Sequence, residues 1–214
     1  MIKKVFALGL FSISVMSFAQ KISIAPSFGY AWRVNKIASS LSPEERNYIK
    51  GLKNGTNFDV ALRYEIKNGM HIGFKYSNYS ASHTGRFSAR DNMGNMISAV
   101  VSTKDAINFY GPSFTITNYD QPTKHKFMMD AALGAMSYTT KTGNVKGKGN
   151  TLGAEVDFAY QYQINKHLLI GPKVGLSGGA LRKITYNGQV VDLGEENREG
   201  LSRVSLAASA TFRF

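Results

Sequence analysis

The last fourteen residues of the chain, 201–214, read LSRVSLAASATFRF. From position 203 onward, apolar and polar side chains alternate. One face carries Val204, Leu206, Ala208, Ala210, Phe212 and Phe214, and the other carries Arg203, Ser205, Ala207, Ser209, Thr211 and Arg213. A period of two predicts a β-strand with one apolar face, because successive side chains of a strand point to opposite sides.

Seven earlier segments of the chain repeat this alternation. They are residues 22–32, 57–66, 70–77, 109–116, 127–136, 152–164 and 168–177. Each is close to the roughly 9–11 residues that a tilted strand needs to cross a bilayer. A soluble β-sandwich would alternate equally well with its apolar faces inward, so the pattern by itself leaves both folds open.

The lengths of the connections favour a membrane barrel. Residues 67–69, 118–124 and 165–167 form short links, whereas residues 33–56, 81–105 and 181–200 form long ones, and 140–150 is intermediate. Short turns on one rim and long loops on the other are typical of outer-membrane barrels. Within the first long loop, Ser42-Pro43-Glu44-Glu45 predicts a capped helix near residues 43–52.

The N-terminus has the pattern of an export signal. Lys3 and Lys4 precede an apolar stretch over residues 5–18, and Ser17 and Ala19 supply small residues before a cut at Gln20. We therefore expect a cleaved signal peptide at 1–19 and a barrel domain at 20–214.

The composition excludes several classes of protein. The chain has no Cys, which rules out disulfides and thiolate sites, and no apolar run after the signal is long enough for a membrane-spanning helix. Its net charge is +12, but the basic residues are scattered, so we expect no nucleic-acid partner.

The signal, the eight strands and the closing strand together resemble the small outer-membrane β-barrel family of Gram-negative bacteria, the OmpA/OmpX/OmpW-like proteins with a porin-family β-barrel domain. The resemblance covers residues 20–214. It implies an all-β, eight-stranded antiparallel up-and-down transmembrane barrel, located in the bacterial outer membrane as a monomer among lipid and lipopolysaccharide. It also implies that Phe214 and Phe212 form the signal read by the barrel-assembly machinery.

The polar faces of the strands should line the barrel interior. Their charged residues are Asp59, Arg63, Glu65, His71, Lys75, Asp130, Glu155, Asp157, Lys173 and Arg203. An eight-stranded barrel is about wide enough to be filled by its own side chains, so these charges should pair and close the lumen. We expect Glu65 opposite His71, and diagonal contacts of Asp59 with Lys75 and of Asp157 with Lys173.

Local features of the strands and loops carry three further predictions. Three-residue turns should pair Ile66 with Met70 and Ile164 with Leu168, with Gly69 in the left-handed conformation. Pro26, Pro112 and Pro172 should cause bulges. Lys141, Lys146 and Lys148 are candidates for contact with lipopolysaccharide phosphates, and solvated surface charge explains them equally well.

Three functions remain open at this point. The first is a non-enzymatic barrel with a charged, filled lumen and long extracellular loops, acting in envelope structure or surface binding. The second is a narrow channel or lateral path for small or apolar solutes. The third is a lipid-modifying enzyme that uses His83 with Ser80 or Ser82. We expect the first function, with no catalytic, metal or cofactor site.

Overall fold

The computed structural model describes residues 21–35, 41–90, 96–194 and 198–214, so the predicted signal peptide lies outside the described residues. The strands are β1 (Ile22–Arg33), β2 (Asn54–Lys67), β3 (Met70–Arg90), β4 (Met96–Thr117), β5 (His125–Thr142), β6 (Val145–Asn165), β7 (Leu168–Leu181), β8 (Lys183–Tyr186), β9 (Gln189–Asp192), β10 (Glu199–Gly200) and β11 (Arg203–Arg213). One helix, α1, spans Pro43–Leu52 in the described part of the chain. Among these residues, no helix has both the length and the apolar character needed to cross a membrane.

Eight of the strands form a closed antiparallel ring. Strands β1 to β7 pair in sequence, β7 pairs with β11, and β11 pairs with β1. Because each of these eight described strands has two neighbours, the ring has no edge that invites aggregation. The predicted eight-stranded up-and-down barrel is confirmed.

The alternation of the closing strand separates its two faces as predicted. Ser205, Ala207 and Ser209 are buried inside the barrel, while Leu206 and Phe212 are exposed on its outer wall. Exposed apolar side chains also cover the outer faces of the other ring strands. The barrel therefore has an apolar outside and a largely polar middle.

The long loops contain more regular structure than the sequence predicted. Strands β3 and β4 stay paired up to Arg90 and Met96, and β8 and β9 form a hairpin inside residues 181–200. Alternation cannot reveal a strand that projects beyond the apolar belt, because both of its faces then tolerate polar residues. The β8–β9 turn could have been recognised from its Asn-Gly sequence, which is typical of a two-residue hairpin turn. Asn187 and Gly188 both have the positive φ that such a turn requires.

The predicted helix of the first loop is confirmed with its cap. The Ser42 hydroxyl accepts from the Glu45 backbone N–H at 3.3 Å, and the Ser42 N–H donates to the Glu45 carboxylate at 2.8 Å. This reciprocal bonding satisfies donors that the first helical turn leaves open.

The register of the β2–β3 turn differs from the prediction. Lys67, not Ile66, pairs with Met70, and the register shifts between Glu65 and Lys67. The additional residue between Glu65 and Lys67 forms a bulge. The turn can therefore be shorter while inward-facing residues still pair with inward-facing ones. Gly69 does adopt the expected left-handed conformation, with φ 76°.

The β6–β7 turn shows the same correction. Asn165 pairs with Leu168 in place of Ile164, and the register shifts between Gln163 and Asn165. A bulge beside each of these turns keeps the apolar residues outside and the polar residues inside. The three-residue loops were expected to do this.

The prediction of bulges at the strand prolines was wrong. Pro26, Pro112 and Pro172 each stay in register with one neighbouring strand, opposite Val60, Phe74 and Ala208 respectively. On the other side of each proline, two residue pairs are missing from the ladder with the neighbouring strand. The register of the two strands is the same before and after this gap. Proline removes one N–H without adding a residue, so the ladder loses a bond and does not slip.

Candidate functional site

Six charged side chains form a network across the middle of the lumen. Their signs alternate in the order Asp59, Lys173, Asp157, Lys75, Glu155 and Arg203. Lys75 Nζ lies 2.7 Å from Asp157 Oδ2 and 3.0 Å from Glu155 Oε2. Lys173 Nζ contacts Asp59 and lies 3.1 Å from Asp157 Oδ2. Three cations and three carboxylates make the cluster formally neutral, which limits the cost of burying them.

Hydroxyl groups complete the network at both of its ends. Arg203 Nη2 lies 2.5 Å from Glu155 Oε1 and donates to Ser77 Oγ at 2.8 Å. Ser27 Oγ donates to Asp59 Oδ2 at 2.5 Å. All six charged side chains are at most 7% exposed. The network thereby ties β2 and β3 to the opposite wall formed by β6, β7 and β11.

The structure forms one of the two diagonal contacts that the sequence predicted. Asp157 contacts Lys173, as its position predicted. Lys75 instead reaches across the lumen to β6, and Asp59 contacts Lys173 from β7. The cross-lumen partners could not be derived from neighbouring strands alone.

The other four predicted lumen residues lie outside this network. Arg63 Nε is 3.3 Å from Asp130 Oδ2, and both side chains are buried as a separate pair. Glu65 is opposite His71 in the ladder, as predicted, but its carboxylate accepts from the Gly69 N–H at 3.4 Å. His71 is buried nearer the short-turn end.

Tyr119 closes the short-turn end of the barrel, and sequence reasoning missed it. The residue belongs to the 118–124 connection, yet it is only 4% exposed. Its hydroxyl donates to Gln161 Oε1 at 3.0 Å, and the Arg213 guanidinium lies 5.2 Å from its ring centre. Lys126 Nζ donates to the Tyr119 carbonyl at 2.8 Å. A turn residue therefore folds back as a plug.

The long-loop end of the lumen holds a large apolar cluster beside the buried Arg33–Asp105 pair, so the interior is charged only in part. Its buried cluster comprises Ala31, Tyr79, Ala81, Ile107, Phe109, Ala132, Met136, Tyr138, Leu181, Ile184 and Leu201. The sequence did indicate this cluster, because the large apolar residues Phe109 and Met136 lie on the otherwise polar, inward faces of their strands.

Helix α1 covers this end, which we call the mouth. Tyr79 donates its hydroxyl to the Leu52 carbonyl at 3.0 Å, and Tyr48 donates to Thr103 Oγ1 at 2.6 Å. Tyr48 also packs edge-on against Phe87, with ring centres 5.0 Å apart. These contacts hold the helix against the inner face of the projecting β3–β4 hairpin.

The network leaves little space around it. A void of about 10 Å³ lies beside Asp59, Asp157 and Arg203, enough for about one water molecule. A Cβ on Gly175 would lie 2.7 Å from Asp157 Oδ1, so the glycine is what admits that carboxylate. Side chains thus fill this cross-section of the barrel.

The predicted basic loop is part of a row of lysines on the outer face. Lys141 lies directly opposite Lys146 on one side and Lys104 on the other, and Lys148 follows two residues from Lys146. All four are exposed. Like charges directly opposite one another are destabilising in a sheet unless something offsets them. Sequence reasoning missed Lys104, because the pairing of β4 with β5 was not predicted that far.

The structure does not bring His83 and its neighbouring serines together. Ser80 and Ser82 are exposed on the outer face of β3, whereas His83 points to the inner side. The His83 ring lies 5.6 Å from the ring of Tyr48 in α1. The pleat thus separates the proposed base from the proposed nucleophiles.

The two terminal aromatic residues, Phe212 and Phe214, are 41% and 52% exposed on the outer wall. Phe214 also joins the ladder, because its N–H donates to the Ile22 carbonyl at 3.0 Å. This position leaves both rings accessible on the outer surface of the strand that closes the ring.

Several solved structures of bacterial outer-membrane proteins resemble this barrel. Neisserial surface protein A matches with a TM-score of 0.55 and 14% identity, over 90% of this chain and 97% of that one. A major outer membrane protein from Thermus thermophilus matches with a TM-score of 0.53 and 11% identity, over 91% and 98%. The outer membrane protease OmpT from Escherichia coli gives 0.48 and 8%, over 92% and 97%.

Neither protein-family models nor curated proteins give a match to this chain. At these identities the structural likeness concerns the fold alone. The closed ring of eight described strands, its apolar outer wall and the first two of these comparisons lead to one conclusion. The chain has the fold of the small outer-membrane β-barrel proteins.

Proposed function

We propose that this protein is a monomeric barrel of the bacterial outer membrane that acts through its external surface and keeps its lumen closed. The apolar outer wall supports the location in a membrane. Phe28, Leu133 and Leu152 are 62%, 70% and 81% exposed, an arrangement that is unfavourable in water and favourable in lipid. The predicted export signal supports the same location.

The observation that carries the proposal is the six-charge network in the lumen. It spans the barrel between opposite walls, and the void beside it is about 10 Å³. The apolar cluster lies above it and the Tyr119 plug below it. Solute passage would require breaking buried ion pairs, which is costly because each charge would lose its partner away from water.

Liposome swelling tests the closed lumen. Liposomes that contain the folded barrel should swell in an isosmotic solution of a small sugar no faster than protein-free liposomes. Heat-modifiable migration in a gel confirms that the barrel is folded in the same preparation. Swelling that increases with the amount of folded protein would favour a channel.

A lateral path for apolar solutes is the second candidate. An apolar depression of about 560 Å³ lies on the outer wall, lined by Phe127, Phe158, Pro172 and Val174 among others. It sits where the ladder between β6 and β7 is interrupted at Pro172. Uptake of a fluorescent apolar probe faster than into protein-free liposomes would favour this function.

The lysine row is proposed as a contact for lipopolysaccharide phosphates. The apolar belt ends at Tyr110, Ala135 and Leu152, which are aligned across β4, β5 and β6. Lys104, Lys141 and Lys146 lie six residues beyond them, so with a rise of ~3.3 Å per residue and a tilt of ~45° the row stands about 14 Å above the belt. At this height above the outer leaflet the row would face the phosphates of lipopolysaccharide, and an anion would offset the repulsion between the lysines.

A charge-matched pair of variants tests this contact. Replacing Lys104, Lys141, Lys146 and Lys148 by Gln should weaken binding of lipopolysaccharide to the folded barrel, and added salt should weaken it in the wild type. The control replaces four exposed lysines of the opposite rim by Gln, namely Lys21, Lys67, Lys124 and Lys166. If both variants lost the same amount of lipopolysaccharide binding, net charge alone would explain the effect. That result would overturn the assignment of the lysine row as the contact.

A further inference from the structure

A cavity of about 390 Å³ lies at the mouth, between α1 and the inner face of the barrel wall. Its volume falls in the range of about 300–1,000 Å³ that is common for small-molecule sites. Helix α1 contributes Tyr48, Ile49 and Leu52 to one side. Polar side chains from the strands line the rest of it, and the Tyr48 hydroxyl reaches one of them, Thr103. The cavity is therefore amphipathic, with an apolar wall beside a polar one.

The polar wall is built around Arg33 and Asp105. Arg33 Nη1 lies 3.3 Å from Asp105 Oδ2, and Arg33 Nη2 contacts Glu199 and donates to the Gly200 carbonyl at 2.7 Å. Lys53, also at the cavity, donates to the Asn35 carbonyl. Burial and the neighbouring Arg33 charge lower the pKa of Lys53. Two cations thus face two carboxylates, and the wall has no net formal charge.

Two buried polar atoms of this wall lack a partner. Within the described residues, neither Arg33 Nε nor Asp105 Oδ1 has a hydrogen-bond partner. Arg33 is 8% exposed and Asp105 is 4% exposed, so bulk water does not readily satisfy them. Leaving these two groups unmet is unfavourable, and a ligand in the cavity that both side chains turn to meet would remove that cost.

The chemistry of the wall selects the kind of ligand. Arg33 already contacts both Asp105 and Glu199, Lys53 already donates to a carbonyl, and the wall as a whole is neutral, so a ligand with a full charge of its own would remain uncompensated. The unmet pair needs one group that accepts from Arg33 and donates to Asp105, and a hydroxyl does both. Thr140 adds a further hydroxyl along the same wall, whereas the hydroxyls of Thr103 and Thr142 bond to each other and Thr103 also accepts from Tyr48. The apolar wall of Tyr48 and Ile49 suits the C–H face of a sugar ring.

We propose that the mouth cavity binds an uncharged carbohydrate of monosaccharide or disaccharide size, such as the terminal sugars of a surface glycan. This proposal deepens the proposed function and rests on it for the direction of the mouth, which would open to the outside of the cell.

Titration of the folded barrel in detergent tests the site without reference to the membrane. The probes are neutral sugars, namely glucose, galactose, N-acetylglucosamine and their disaccharides, followed by changes in tyrosine fluorescence and by calorimetry. At least one should bind saturably with one site per barrel. Because the lumen below is not involved, failure of binding would leave the swelling result unchanged.

Two variants locate the binding. Ile49→Trp should fill the cavity and abolish binding, whereas Asn47→Trp places the same ring on α1 outside the cavity and should bind as the wild type does. Asp105→Asn should weaken binding at least tenfold, because the replacement amide changes the pairing with Arg33. Absence of saturable binding by the whole sugar panel would overturn the proposal. Equal binding by Ile49→Trp, or stronger binding of amino acids or organic acids than of sugars, would overturn it as well.

Discussion

Replacing Lys75 by Met removes the central cation of the lumen network at nearly constant side-chain length. Lys75 is 1% exposed and contacts Asp157 at 2.7 Å and Glu155 at 3.0 Å. The variant leaves Asp157 with Lys173 and Glu155 with Arg203 as their remaining cations, and the cluster changes from neutral to one net negative charge. Breaking a buried pair in this way costs about 3–5 kcal/mol. Domains are stable by about 5–15 kcal/mol, so the loss should be plain.

Urea unfolding in detergent measures this change through the fluorescence of Trp32, the single tryptophan of the chain. The double variant Lys75→Met/Asp157→Asn restores formal neutrality, so its loss should be smaller than the sum of the two single losses by about 1–3 kcal/mol. Additive losses, or a cost of Lys75→Met below about 1 kcal/mol, would refute the reasoning that paired charges hold the walls together.

Three further changes test separate parts of the fold. Gly69→Ala should cost at least about 1 kcal/mol of stability, because φ is 76° and the new Cβ would lie 2.5 Å from the Thr117 oxygen. Helix α1 should fray in acid once Glu45 is protonated, because bonds to Ser42 lower the pKa of that carboxyl and the capping bond is lost on protonation. Phe214→Ala should reduce the amount of barrel assembled in cells but not its refolding in detergent.

The two substitutions have matched controls, and all three changes have an outcome that contradicts them. Gly178→Ala is the control for the turn, because an added Cβ there meets only Ser202 Oγ at 4.0 Å, and equal losses would contradict the strain argument. For the helix, protection of the α1 amides against hydrogen exchange, corrected for the intrinsic effect of pH, that is the same at pH 6 and pH 3 would contradict the role of Glu45. Phe28→Ala removes another ring from the outer wall, so equal assembly of the two Phe variants would contradict a special role of the terminal residue.

Alternation predicted the ring because it reports a physical boundary between an apolar outside and a polar inside. It identified Leu206 as outward and Asp157 as inward, since a one-residue slip would reverse both. Beyond the apolar belt there is no such boundary, and alternation no longer predicts strands there. The paired extensions of β3 and β4 toward Arg90 and Met96 lie beyond the apolar belt, where the outer face is polar at Ser82, Thr84 and Arg86, and they therefore resembled a loop.

The site required information that neighbouring strands do not hold. The partner of Asp59 is Lys173, from the opposite side of the ring, and only closure of the barrel brings the two together. Tyr119 belongs to a turn, and a turn sequence does not say that its side chain folds inward. Periodicity thus predicts which face a residue occupies, while contacts across the lumen depend on the whole barrel.

Single-channel conductance of the folded barrel, residues 20–214, in a planar bilayer tests the closed lumen most directly. We expect no steady openings from the wild type, because Asp157 is held by Lys75 and Lys173 in a filled cross-section. Asp157→Asn should produce openings only if loss of that carboxylate loosens the network. Reproducible conductance steps from the folded wild type would contradict the closed lumen and make the channel the leading function.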